Sequence, residues 1–159
     1  MIKFFNYMVV FEEIPNEITL AINITNCPNR CVGCHSSFLQ EDIGDELTEE
    51  SLDKMIEEND GITCVCFMGG DREPSSISDL GKYIKEKYSN LKVGWYSGKD
   101  KISERINIEN FDYIKIGHYE EKFGPLNKRT TNQRLYKVEF DSKTEKRILK
   151  DITEKFWRI

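Results

Sequence analysis

The stretch Ile18-Thr-Leu-Ala-Ile-Asn-Ile-Thr-Asn-Cys-Pro-Asn-Arg-Cys-Val-Gly-Cys-His35 joins an alternating apolar segment to a three-cysteine loop. Ile18, Leu20, Ile22 and Ile24 alternate with Thr19, Ala21 and Asn23. A period of two over Glu17 to Ile24 reads as a β-strand. Cys27, Cys31 and Cys34 follow at once, with Pro28, Asn29 and Gly33 as loop residues. Three thiolates at this spacing can hold three irons of a 4Fe–4S cube and leave the fourth bare, whereas four would close the cluster as an electron carrier. A bare iron can bind a ligand and act on it. With 5 cysteines in 159 residues, three at fixed offsets arise by accident in roughly 0.005 of such chains (about 0.03 cubed, times about 150 starting positions).

Outward from this loop, strand and helix alternate. Asn6 to Phe11 reads as a strand before it. Leu47 to Asn59 predicts a helix with Thr48 as N-cap, Glu49 and Glu50 at its positive end, and Leu52, Met55 and Ile56 on its apolar face. Gly61 to Met68 is a continuous apolar run, the pattern of a strand buried on both faces, and it ends in Gly69-Gly70-Asp71. Ser76 to Tyr88 predicts a helix with Ile77, Leu80 and Ile84 inward. Leu91 to Tyr96 is the next strand, ended by Ser97-Gly98. A helix around Lys101 to Ile106 then leads to a strand over Phe111 to Ile116, ended by Gly117. This alternation predicts an α/β fold of parallel βαβ units. The cysteine loop then sits at the C-terminal end of a strand, where such sheets and barrels place their active sites. After Gly124-Pro125 the pattern weakens. Arg134 to Phe140 reads as a strand, and Glu145 to Ile159 as helix, strand or both, with Phe156 and Trp157 packed on the body. The length predicts one domain over residues 1–159.

Composition narrows the function. Hydrophobic residues make up 38% and charged residues 32%, the net charge is −5, and no basic stripe appears, which argues against nucleic-acid binding. No apolar run approaches the ~20 residues that a membrane helix needs. Glu12 and Glu13 interrupt the N-terminal apolar stretch before it can serve as a signal peptide, so a cytoplasmic protein is expected. In a reducing compartment clustered cysteines are metal ligands sooner than disulfides. Zinc is the competing metal. It usually takes a fourth ligand at short spacing, yet His35 directly follows Cys34, and Cys64 and Cys66 are one residue apart. Cys64 and Cys66 share one face of a buried strand and read as small core hydrophobes.

The three-cysteine loop, followed one strand later by Met68-Gly69-Gly70-Asp71, resembles the radical S-adenosylmethionine enzymes. That family holds a 4Fe–4S cluster on Cys-x3-Cys-x2-Cys and ends its second strand in Gly-Gly-Glu or a variant. The resemblance implies a partial, open (βα) parallel barrel of the radical S-adenosylmethionine type. It also implies that Cys27, Cys31 and Cys34 ligate iron and that Gly69, Gly70 and Asp71 meet the methionyl amine. Asp71 stands where many members have Glu, and Glu73 is a second acceptor two residues on. Gly33 stands where an aromatic residue is usual, with His35 just after it toward the adenine. Ser97 is expected at the methionyl carboxylate or the ribose.

Gly94-Trp-Tyr-Ser-Gly98, Phe111-Asp-Tyr-Ile-Lys-Ile-Gly117 and Gly124-Pro-Leu-Asn-Lys-Arg-Thr-Thr-Asn-Gln-Arg-Leu-Tyr136 are similar to the activating proteins of anaerobic ribonucleoside-triphosphate reductases. That resemblance implies reductive cleavage of S-adenosylmethionine to a 5′-deoxyadenosyl radical, which takes a hydrogen atom from a glycine of the reductase and leaves a glycyl radical. The implied partners are the reductase and an electron donor such as flavodoxin or ferredoxin. Two other readings stay open: a radical S-adenosylmethionine enzyme for a small molecule, of the carboxy-deazaguanine synthase kind, and a zinc-stabilised binding module without catalysis. Lys115 either points inward toward a carboxylate or lies on a sheet edge, with the edge preferred. His118 reads as a surface or hydrogen-bonded histidine. Lys128, Arg129 and Arg134 read as a solvated run, Asn23 and Asn26 as loop caps, and Arg30 as a surface arginine or a partner for cluster charge.

Overall fold

The structure, a computed structural model, describes residues 2–29 and 37–157. Strand β1 (Lys3–Val10) turns back antiparallel onto β2 (Thr19–Ile24), and the two-residue β3 (Asp45–Glu46) pairs with Lys3 and Phe4 on the outer side of β1. Helix α1 (Glu49–Glu58) starts where the sequence places it. Thr48 Oγ1 accepts from Ser51 N at 3.1 Å, and Ser51 Oγ accepts from Thr48 N at 2.8 Å. This reciprocal cap satisfies two amide donors that the first turn would otherwise leave open. Strand β4 (Cys64–Met68), helix α2 (Pro74–Lys87) and strand β5 (Lys92–Tyr96) follow, with Pro74 in the first turn where a missing N–H costs nothing. Strand β6 (Tyr113–Ile116) leads to the hairpin β7 (Arg134–Asp141) and β8 (Lys146–Asp151). The tail is both strand and helix, because β8 ends in a 3₁₀ turn over Thr153–Trp157.

Among the described residues, eight strands form one sheet in the order β3-β1-β2-β4-β5-β6-β7-β8. Its centre, β2-β4-β5-β6, is parallel, and both flanks are antiparallel. One face carries the main core, in which Leu20, Ile22, Val65, Phe67, Val93 and Trp95 meet Leu52, Met55, Ile77 and Ile84 of the two helices. The opposite face has a second core without a helix, where Ile14, Leu126, Leu135 and Ile152 cover Cys64, Cys66 and Tyr113. Strand β2 is therefore buried on both faces, Thr19 and Ala21 included, and its alternation does not mark a solvent side.

The structure corrects the barrel expectation. This is an open, mixed sheet with two α-helices among the described residues, not a parallel (βα) barrel of the radical S-adenosylmethionine type. Parallel winding ends at β6, because β7 returns antiparallel beside it. The helix expected around Lys101 to Ile106 is absent, and only a 3₁₀ turn over Ile108–Asn110 carries the chain from β5 to β6. Barrel closure would need the two outer strands to meet. Here they are β3 and a fully exposed β8, at opposite ends of the strand order. Among the described residues, no helix is long and apolar enough to cross a membrane.

Candidate metal centre

Three neighbouring parallel strands deliver their C-terminal ends to one place. Asn23 of β2 lies in register with Met68 of β4, and Met68 with Tyr96 of β5. Half-buried Cys27 follows β2, Gly69-Gly70-Asp71 follows β4, and Ser97-Gly98 follows β5. Cys31, Cys34 and His35 lie outside the described residues, as does Arg30.

The start of the cysteine loop is pinned by backbone bonds. Asn26 N donates to Glu41 O and Cys27 N donates to Leu39 O, both at 2.9 Å, and Arg72 Nε donates to Asn26 O at 3.0 Å. Asn26 itself adopts φ 59°, a left-handed turn that asparagine tolerates. The chain thus reverses sharply where the first thiol must be presented. Asn23 is not part of this turn, because its side-chain amide donates to Asn6 Oδ1 on β1.

Asp71 is the hub of the site. Its Oδ2 accepts from Asn29 Nδ2 at 2.5 Å and from Gly98 N at 2.7 Å, and its Oδ1 accepts from Ser97 Oγ at 2.5 Å. One carboxylate therefore ties the cysteine loop to the ends of β4 and β5. Bonds to an ionised acceptor are the strong kind. Gly98 is needed for this closeness, because a Cβ there would lie 2.6 Å from Asn29 Nδ2. Gly70 is constrained twice: its φ is 101°, and a Cβ would meet Ile77 Cγ1 at 2.5 Å. Trp95 Nε1 donates to Gly69 O at 2.7 Å, and Gly69 N donates to Tyr96 O at 3.0 Å, so the glycine turn is clamped onto β5. Glu73 stands at the N-cap of α2, two residues beyond the hub.

Sequence reasoning missed Asn29 and Gly98, and it placed Lys115 differently. Strand β6 lies between β5 and β7, so Lys115 is not on an edge, and it is only 7% exposed. Its ammonium donates to Ser97 O at 3.0 Å and Gly117 O at 2.9 Å. A buried cation thus supports the segment whose next groups hold Asp71. The signal was available: a lysine in a strand interior among Tyr113, Ile114 and Ile116 needs buried acceptors. His118 bridges the loops after β5 and β6, with Nδ1 2.7 Å from Asp100 Oδ1 and Nε2 2.5 Å from Glu120 Oε1. Asp100, then Glu120, holds the imidazolium above the usual histidine range, and the same contact holds Asp100 below the carboxylate range.

The run after Gly124 bonds the segment that follows β6. Asn132 Nδ2 donates to His118 O at 3.0 Å, Gln133 Nε2 donates to Gly117 O at 3.3 Å, and Thr130 Oγ1 donates to Phe123 O at 2.6 Å. This run fixes the end of β6 beside the site. Lys128 and Arg129 are exposed, Arg134 lies 3.7 Å from Asp151, and Arg129 lies 5.9 Å from the centroid of the Trp157 ring.

Cys64 and Cys66 are fully buried, with burial pushing both thiols well above their ordinary range. They pack in the second core and keep their protons. Cys27 is half-buried at a pinned turn, and Asn29–Asp71 and Arg72–Asn26 hydrogen bonds tie that turn to the segment after β4. A family model described as "4Fe-4S single cluster domain" matches residues 18–135, well over half of the chain and every strand of the site. No curated protein and no solved structure matches the chain.

Proposed function

Because the chain belongs to the 4Fe–4S single cluster domain family, we propose that it cleaves S-adenosylmethionine reductively and generates a glycyl radical on an anaerobic ribonucleoside-triphosphate reductase. Cys27, Cys31 and Cys34 would hold the cluster. Three thiolates would leave one iron for the methionyl group, and the bound cluster, once reduced, would supply one electron for cleavage of the sulfonium C–S bond. The observation that carries this reading is the convergence of Cys27, Gly69-Gly70-Asp71 and Ser97 at the ends of three adjacent parallel strands.

The chain's own residues supply position. A carboxylate offers about four acceptor sites. Asn29, Ser97 and Gly98 fill three on Asp71, which leaves the carboxylate oriented and still able to accept from an ammonium. Ser97 acts through Asp71: its hydroxyl donates to the carboxylate and accepts from Lys99 N at 3.1 Å. Lys115 and His118 hold the segments behind Ser97 and Gly98. A protein substrate suits the face opposite the two α-helices, where Glu12, Glu13, Asn16, Tyr96, Leu126 and Phe156 line an open groove of about 570 Å³.

The test is anaerobic. Reconstituted protein, dithionite and S-adenosylmethionine are combined, and 5′-deoxyadenosine and methionine are quantified with and without the reductase. The proposal expects both products and a glycyl radical in the electron paramagnetic resonance spectrum of the reductase. Cleavage without that radical would reject the reductase as substrate. Stoichiometric zinc and no cleavage would reject the enzyme.

A further inference from the structure

Residues 117–133 connect β6 to β7 without a strand or an α-helix among them. Connections longer than about 12–15 residues with no secondary structure of their own are usually functional or disordered. This one is tied down at every step. Gly124 N donates to Glu120 O at 2.9 Å, Lys128 N to Pro125 O at 3.0 Å, and Thr131 N to Lys128 O at 3.1 Å. From the tail, Trp157 Nε1 donates to Leu126 O at 3.0 Å.

Charge is concentrated here. From Lys122 to Val138 the chain holds five cations and no acidic residue, although its net charge is −5. Arg134 and Lys137 reach carboxylates of the β7–β8 hairpin, Asp151 at 3.7 Å and Glu139 at 3.9 Å. Lys122, Lys128 and Arg129 are exposed, and Lys122, its side chain 73% exposed, lies 3.7 Å from Glu120. The turn gathers these three. Gly124 has φ 81°, and a Cβ there would lie 2.9 Å from Lys128 Cγ, so Lys128 packs across the turn. The bond from Thr130 Oγ1 to Phe123 O brings the Arg129 segment beside the Lys122 segment. Lys122 Nζ lies 4.8 Å from the centroid of the Phe123 ring, which is 37% exposed. The result is a basic knuckle around one aromatic ring.

The knuckle stands beside the site. At its base Gly117 N donates to Lys99 O, and Gly117 O accepts from Lys115, whose ammonium also holds Ser97 O. Leu126 and Asn127 line the groove opposite the two α-helices, and Lys128 and Arg129 follow them directly.

We propose that this knuckle is the surface that recognises the protein substrate, and that it docks on an acidic patch of the reductase beside the glycine-bearing segment. The inference rests on the activase reading and adds the surface and the charge of its partner. A small cationic cluster on an acidic chain suits one acidic patch, whereas a nucleic acid needs a broad basic stripe. Charges on the rim of an interface speed encounter and set partner choice.

Binding of the reconstituted protein to the reductase is measured anaerobically at about 0.1 M and about 1 M salt, where charges are screened beyond roughly 10 Å and 3 Å. The double variant Lys128→Glu, Arg129→Glu should bind roughly tenfold or more weakly at the lower salt, and the gap should shrink at the higher. Lys128→Gln with Arg129→Gln should lose less, and Lys128→Arg should bind as the wild type does, because charge and not packing is removed. Glycyl radical formed on the reductase should fall in the same order. Methionine released from S-adenosylmethionine without the reductase should stay at the wild-type level, which shows that the variants fold and hold the cluster. A double variant that binds as tightly as the wild type at the lower salt, or a loss independent of salt, overturns this inference and leaves the activase reading standing. A wild type that cleaves S-adenosylmethionine but neither binds the reductase nor places a radical on it overturns both.

Discussion

Replacing Asp71 with alanine separates positioning from cluster assembly. The carboxylate receives Asn29, Ser97 and Gly98, which reach it across 42, 26 and 27 residues of sequence. Asp71→Ala should leave bound iron unchanged and lower S-adenosylmethionine affinity at least tenfold, about 1.4 kcal/mol, as measured by equilibrium binding to reconstituted protein. Ser97→Ala should move affinity in the same direction by less, since two donors remain on the carboxylate. Unchanged affinity in Asp71→Ala would transfer the role to Glu73. The glycines and the aspartate were legible in the sequence as a strand-end turn. The three donors were not, because nothing local marks an asparagine after Cys-Pro or a glycine after serine as partners of a residue so far away. Only the parallel register brings them together.

At the level of elements, capping and apolar periodicity identified both helices. Thr48 caps α1, and α2 buries Ile77 and Ile84 as its spacing requires. The segment around Lys101 to Ile106 forms a turn instead: Ser103 Oγ accepts from Arg105 N, and Ile106 N donates to Ser103 O. Side chains that bond nearby backbone compete with helix formation. The loops after β5 and β6 are joined by His118 between Asp100 and Glu120. Since the folded state raises the histidine's proton affinity, the stability from this latch is complete below the ordinary histidine value of about 6.5 and fades as pH rises through the raised one. His118→Ala should therefore lower the denaturation midpoint at pH 6, and the difference from wild type should shrink at pH 9. A difference independent of pH would contradict the latch.

Across the whole molecule, the sequence identified the parallel centre and the strand end that Cys27 follows, but not the antiparallel flanks. Four parallel strands with hairpins on both sides make an open sheet, and the antiparallel return of β7 could not be read from its apolar pattern. The fold also separates two kinds of cysteine. Cys27 stands at a pinned turn at the C-terminal ends of the strands, whereas Cys64 and Cys66 are sealed in the helix-free core beside Ile14. Alanine at Cys27, Cys31 or Cys34 should therefore abolish bound iron and sulfide, while Cys64→Ala and Cys66→Ala should lower stability and leave iron intact, as determined by metal and sulfide analysis. The most direct measurement is electron paramagnetic resonance of the reconstituted, dithionite-reduced protein before and after S-adenosylmethionine is added. The account predicts a reduced 4Fe–4S signal whose shape changes on addition, because the cofactor occupies the iron that three cysteines leave open. A cluster signal indifferent to S-adenosylmethionine, or zinc in place of iron, would contradict it.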